Sequence, residues 1–168
     1  MRIQTGRSLS DVAAATFLSP SFLSMVENGG SDISIGRLLR LTQYYGVQVE
    51  DVLSEPSGPR QLPVGTERRI LSSSDEGLEI EFLAEAHHPM RPVLASFAPG
   101  SGMIDPIRDT GDAFLYVLAG EITVEVEGTD AYMLGPGDSV YLLGNQARLY
   151  RNPTAAPALM LTVVLRQR

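Results

Sequence analysis

The chain holds few side chains that could make or break a bond. There is no cysteine, which excludes disulfides, thiolate metal sites and a cysteine nucleophile. Its two histidines are neighbours, His87 and His88. Adjacent side chains on a strand point to opposite faces. The pair therefore reads as one surface and one packed residue, not as two ligands of one ion. Ser72-Ser73-Ser74 has no base placed to activate a hydroxyl. Gly100-Ser101-Gly102 is followed by neither a helix nor a lysine, so it is no phosphate cradle. Asp75-Glu76 and the acids at 121, 125 and 127 read as a solvated strand face. The inventory argues for binding rather than catalysis.

What is bound depends on the elements that carry these groups. The 168 residues include 13 Arg, no Lys and 20 acids, a net charge of −7. Nucleic-acid affinity rests on neutralised phosphates, so an unspecific polyanion coat is excluded. A small local DNA-reading surface is not. Apolar residues make up 43% and charged residues 20%, the balance of a folded globular protein. No apolar run approaches the ~20 residues that span a bilayer. Residues 1–6 lack the apolar core of a secretory signal. The expectation is a soluble cytoplasmic protein with no membrane partner.

Proline and glycine concentrate between Glu55 and Gly65, which predicts a linker over 55–66. Before it the apolar period is helical; after it, apolar and polar residues alternate. The fold class is therefore α+β multidomain, a small all-α unit over 1–54 followed by an all-β unit over 67–168. Residues 1–54 carry four Arg and five acids, while residues 67–168 carry eight Arg and fourteen acids. The β unit holds the acidity.

In the α unit, Ser8 and Asp11 form a capping pair ahead of a helix that places Leu9, Val12 and Ala13 on one face. Ser19-Pro20 opens a second helix, serine capping and proline in the first turn, and Asn28-Gly29-Gly30 ends it. Only Phe17 and Leu18 separate the two, which forces a sharp angle. A third helix runs from about Ile35 to Tyr45, with Leu38, Leu39 and Leu41 inward and Gly46 as its stop; a short fourth covers Val49 to Leu53.

The segment Ser21 to Gly29, followed by Leu38-Leu39-Arg40-Leu41 and Tyr45-Gly46-Val47, resembles the helix-turn-helix domain of the xenobiotic-response-element family of repressors. The resemblance covers about residues 6–54. It implies that the second helix enters the major groove of double-stranded DNA, with Ser19, Pro20, Ser21, Ser24 and Met25 facing the bases. Arg7 and Arg37 would hold phosphates. Two departures stand out. The Arg-rich helix that normally opens the family's domain is expected to be truncated here. The base-facing positions lack the Arg, Asn and Gln that make bidentate base contacts.

In the β unit, turn signals recur at short intervals, and strands are predicted near 79–85, 92–98, 113–118, 121–127, 130–134, 139–143, 147–152 and 158–165. Many short strands argue for a sandwich or barrel. Phe114 to Glu121, then Leu134-Gly135-Pro136-Gly137-Asp138, then Tyr150-Arg151-Asn152-Pro153, resemble a cupin over about residues 90–165. The resemblance implies a double-stranded β-helix, a jelly-roll barrel. Metal cupins hold an ion with two His and a Glu in one motif and a His in a second. Those positions fall on Ile107, Asp109, Ala113 and Arg148. Only Asp109 could ligate a cation, and Arg148 would oppose one, so no metal, cofactor or catalytic residue is expected.

Opposite charges at two former ligand positions leave two readings open. Asp109 and Arg148 form a structural pair in a filled barrel, or Arg148 awaits an anionic ligand. By alternation Leu115 and Val117 share the interior with Ala113, and Tyr150 with Arg148. The expected effector pocket is Ile107, Asp109, Ala113, Leu115, Arg148 and Tyr150. Cupins joined to this type of helix-turn-helix domain resemble a group of bacterial transcription regulators. The resemblance implies a homodimer through the barrel, on double-stranded DNA, sensing a small-molecule effector, anions included. Two alternatives stay open: a cupin module for ligand binding or interaction that has lost DNA binding, and a metal-dependent cupin enzyme.

Overall fold

A computed structural model describes residues 2–47, 49–52, 69–84 and 88–165. The expected linker over 55–66 lies outside the described residues, as does His87. Helix α1 spans Leu9–Thr16, α2 Pro20–Glu27, α3 Ile35–Tyr45 and α4 Val49–Val52. Residues 2–6 form a turn rather than a helix.

Local chemistry accounts for each boundary. The Ser8 hydroxyl accepts from the Asp11 amide at 3.1 Å while the Asp11 carboxylate accepts from the Ser8 amide at 3.0 Å, a complete capping box. The Ser19 hydroxyl accepts from the Phe22 amide, with Pro20 next to it at the first helical position. Gly46, at φ 66°, closes α3 in the left-handed region that favours glycine. Phe17 closes α1 in the same region, at φ 56°, although it carries a side chain. The chain bends by 113° between α1 and α2, as the two-residue connection requires. Val12, Ala13 and Leu23 form the small head core, flanked by Leu41, Tyr44 and Tyr45 of α3.

Ten strands follow in two sheets. The larger has the order β1(Arg69–Ser73), β2(Leu78–Phe82), β3(Met90–Phe97), β10(Ala158–Leu165), β5(Ala113–Ala119) and β8(Ser139–Leu142). The smaller has the order β4(Ile107–Arg108), β9(Ala147–Arg151), β6(Ile122–Val126) and β7(Tyr132–Leu134). β1 and β4 are additions to the predicted set. β4 is two residues long and β1 adjoins the predicted linker, so neither offers enough alternation to be read. The inner faces meet in one core of Leu115, Val117, Val124, Ile122, Phe97 and neighbours. The acids at 121, 125 and 127 are exposed, as expected of a solvated face.

The head is docked on the barrel by α3, and α3 has two working faces. Leu41 packs into the head, whereas Ile35 and Leu39 pack against the barrel core. Leu39 is thus inward toward the other unit, not toward the helix bundle as its spacing suggested. Glu76 corrects a second expectation. It is only 1% exposed, not part of a solvated face. One carboxylate oxygen accepts from the Ile35 amide at 2.7 Å, the other from the Ile104 amide at 2.9 Å. A carboxylate from the barrel thereby caps the N-terminus of a head helix, where the helix dipole favours negative charge. Ser34 Oγ donates to Asp105 Oδ2 at 2.8 Å, and Gln43 Nε2 donates to the Arg108 carbonyl at 2.6 Å. Gly36 allows this approach: a Cβ there would lie 2.4 Å from the Asp105 carbonyl oxygen.

Candidate functional site

Two sites emerge, one on each unit. On the head, Ser19, Pro20, Ser21 and Met25 are exposed along α2 and its N-cap, and Ser24 is half-buried. Ser19 and Ser21 sit with hydroxyls 3.1 Å apart. The Asn28 side-chain amide donates to the Ser24 carbonyl at 2.7 Å and ends the helix. Arg7 is exposed. Arg37 is not a free cation. Its guanidinium lies 2.9 Å from Asp105 and stacks over the Phe22 ring at 4.9 Å. Cation–π contact and an ion pair hold it in the joint between head and barrel. Arg2 makes a forked pair with Glu27, at 2.7 and 2.8 Å, tying the N-terminal turn to α2.

In the barrel, a cavity of about 80 Å³ lies between the β1–β2–β3–β10 part of the larger sheet and the β4–β9 edge of the smaller one. Leu78, Ile80, Phe97 and Met160 supply one wall; Met103, Ile107 and Tyr150 supply the other. Leu39 of α3 completes the lining from the head. Besides the Tyr150 phenol, three polar side chains line it: Arg91, Asp109 and Thr162. Burial of the Asp109 carboxyl raises its pKa, while Arg148 and Arg91 pull it back. Burial pushes the Tyr150 phenol up to about 12. The Thr162 hydroxyl is buried and has no hydrogen-bond partner.

The structure brings together three of the six expected pocket residues, Ile107, Asp109 and Tyr150. It does not bring the other three to the cavity. Ala113 and Leu115 are packed solid in the core at 1% and 0% exposure. They face inward as alternation required, but that end of the barrel is filled. Arg148 is fully buried, and Ile107 is its cross-strand partner. Its Nη2 donates to the Leu143 carbonyl at 2.8 Å and the Gly111 carbonyl at 3.4 Å. Nε and Nη1 make no hydrogen bond, and the side chain does not line the cavity.

The four positions that hold an ion in metal cupins do not fit one here. One carboxylate, one aliphatic chain, one methyl and one buried guanidinium cannot stabilise a divalent cation, and the guanidinium repels it. No group of three or more His, Asp or Glu suited to a metal occurs among the described residues. His88 is half-exposed in a turn before β3.

Sequence reasoning missed Leu39, Arg91, Thr162 and Glu76. Arg91 was legible: Val93, Ala95 and Phe97 alternate inward, and one more step back along β3 reaches Arg91. Thr162 lies on the inner face of β10 by the same rule. Leu39 and Glu76 gave no signal, because each takes its role from the other unit.

Comparison with known proteins supports both halves. Residues 1–52 match the Helix-turn-helix family, and residues 93–164 match the Cupin domain family. The chain is 23% identical over 137 residues to the HTH-type transcriptional regulator PuuR of Escherichia coli (strain K12), covering 80% of this chain and 74% of that one. It is similar in structure to an HTH_3 family transcriptional regulator from Vibrio cholerae, with TM-score 0.75, 19% identity, and coverage of 99% of this chain and 91% of that one. It is also similar to FeII HppE, with TM-score 0.52, 17% identity, and coverage of 98% and 93%. These likenesses establish the architecture, a helix-turn-helix unit followed by a cupin barrel.

Proposed function

We propose that this chain, a helix-turn-helix domain followed by a cupin domain, is a DNA-binding transcription regulator whose barrel binds a small-molecule effector without a metal. The observation that carries the reading is the double duty of α3, which packs in the head core through Leu41 and walls the barrel cavity through Leu39. An occupant of the cavity touches the DNA-reading unit directly. By linkage, a ligand that prefers one position of α3 shifts the head toward it. The relative from E. coli, a transcriptional regulator by name, agrees with this reading.

DNA would meet α2 and its N-cap at Ser19, Pro20, Ser21, Ser24 and Met25, with Arg7 on a phosphate. Serine hydroxyls bond phosphates or bases without selecting strongly among them. Specificity would then come from two heads at fixed spacing, hence from a homodimer. The outer face of the larger sheet supports that assembly. Pro92, Val163, Phe114 and Tyr141 form one cross-strand row, and Leu94, Leu161 and Tyr116 form part of the next. Phe114 and Tyr141 are 42% and 61% exposed. An outward sheet face is ordinarily polar, and a contiguous apolar one fits a second copy of the chain. Acting on DNA, the protein would work in the cytoplasm.

The test is fluorescence anisotropy with a duplex from the region upstream of its own gene, at falling salt. Binding should strengthen as salt falls, with a shallow slope because few arginines are free to touch phosphate. Ser21→Glu should abolish it. A second reading is a ligand-binding module that no longer binds DNA. The near-neutral head and its base-facing positions without Arg, Asn or Gln favour it. No binding at any salt would select that reading.

A further inference from the structure

The barrel cavity has a neighbour at its rim. It shares Leu39, Arg91, Asp109 and Val164 with a second cleft of about 270 Å³ at the seam between the head and the barrel. On the head side that cleft is bounded by Thr42, Gln43 and Gly46 at the end of α3. The inner chamber is almost wholly hydrocarbon, and the outer one is mixed. Arg91 and Asp109, one basic and one acidic side chain whose charges act on each other, line both. Thr162 leaves its unpartnered hydroxyl just inside, one inward position along β10 from Val164.

We infer that the two chambers form one site for a small zwitterion with a branched apolar tail, an apolar α-amino acid or a close analogue, the tail in the barrel and the charged end beneath α3. The inference rests on the effector reading above and names its ligand class. Size limits the tail. A cavity of about 80 Å³ is roughly half the ~150 Å³ that accepts benzene, which leaves room for about three or four carbons. Charge sets the other end. An ammonium faces Asp109 and a carboxylate faces Arg91, whose guanidinium has five N–H donors and so can serve a ligand besides a protein partner. A ligand with a single charge answers only one of the two groups. The chamber wall from α3 makes the head part of the site, so Leu39 contributes to affinity although it belongs to the DNA-reading unit.

Isothermal titration of the full chain with leucine, 4-methylpentanoate, 3-methylbutylamine and glycine tests the assignment. Leucine should bind at least tenfold more tightly than either singly charged analogue, and glycine should not bind measurably. Arg91→Gln and Asp109→Asn should each bring leucine down to the level of the analogue that lacks the matching charge. Leu39→Ala should weaken leucine severalfold in protein whose circular dichroism spectrum shows it folded. Equal affinity for leucine and one analogue overturns the zwitterion. Unchanged affinity in Leu39→Ala removes the head from the site. If none of the four binds while native mass spectrometry finds another small molecule retained, this assignment fails and the effector reading stands. If the barrel neither retains nor binds any small molecule, both fail.

Discussion

Replacing Glu76 with alanine deletes the carboxylate that joins the N-terminus of α3 to the barrel. Its two oxygens hold the Ile35 amide at 2.7 Å and the Ile104 amide at 2.9 Å, in a site where the side chain is 1% exposed. Hydrogen bonds to a charged group contribute about 1.5–3 kcal/mol each, and the two amides would be left buried without acceptors. Against this stands relief of the desolvation of one carboxylate. The expected net loss is about 3–5 kcal/mol, a large part of the ~5–15 kcal/mol that holds a typical domain. Glu76→Gln keeps one acceptor and turns an NH2 toward the other amide, so about half that loss is expected. Urea unfolding of the full chain, followed by circular dichroism at 222 nm, reads the effect. The helical signal should be lost at lower urea than the β signal in Glu76→Ala, because the cap belongs to α3 and the core of the barrel stays filled. Glu79→Ala, an exposed neighbour on β2, serves as control and should change stability by less than about 0.5 kcal/mol. A Glu76→Ala protein whose midpoint matches that of the control would refute the clamp.

Three further outcomes follow from single features. Phe17 holds a left-handed φ of 56° with its side chain 88% exposed; Phe17→Gly should raise stability by about 1 kcal/mol in thermal unfolding, since strain is relieved and no packing is lost. Asp109 has its pKa raised by burial in the folded chain, so the native state binds the extra proton and stability falls as pH rises from the ordinary carboxylate range through the folded value. Asp109→Asn should flatten that part of the pH profile and raise the melting temperature at neutral pH; a profile unchanged by the substitution would contradict the buried carboxyl. Phe114→Glu places a charge in the middle of the apolar outer row and should convert a dimer to a monomer by light scattering, with the melting curve of the barrel little changed at this exposed site.

The helical unit was readable nearly residue by residue, because its boundaries are set by contacts within three or four positions. Ser8 with Asp11, Ser19 with Pro20, and Gly46 each act on amides or carbonyls one turn away. Strands β5, β6 and β10 were equally plain, since Phe114, Tyr116 and Leu118 alternate with inward Leu115 and Val117. The cavity was half readable. Alternation identified which side chains turn inward, Ile107, Asp109 and Tyr150 among them. It could not say that Ala113 and Leu115 are packed solid in the core, while Ile107 and Asp109 border a cavity.

The order of residues alone decided the helices, their caps, eight of the strands and the succession of a helical head and a β barrel, because each of these depends on neighbours in the chain. Tertiary structure alone decided that Glu76 is a buried clamp, that Arg37 is held by Asp105 and Phe22, and that Leu39 closes a chamber in the other domain. Those roles arise between residues on different elements, fifteen or more positions apart, and only the packing of α3 on the head and on the barrel brings them within a few ångströms, where desolvation and hydrogen-bond geometry can act.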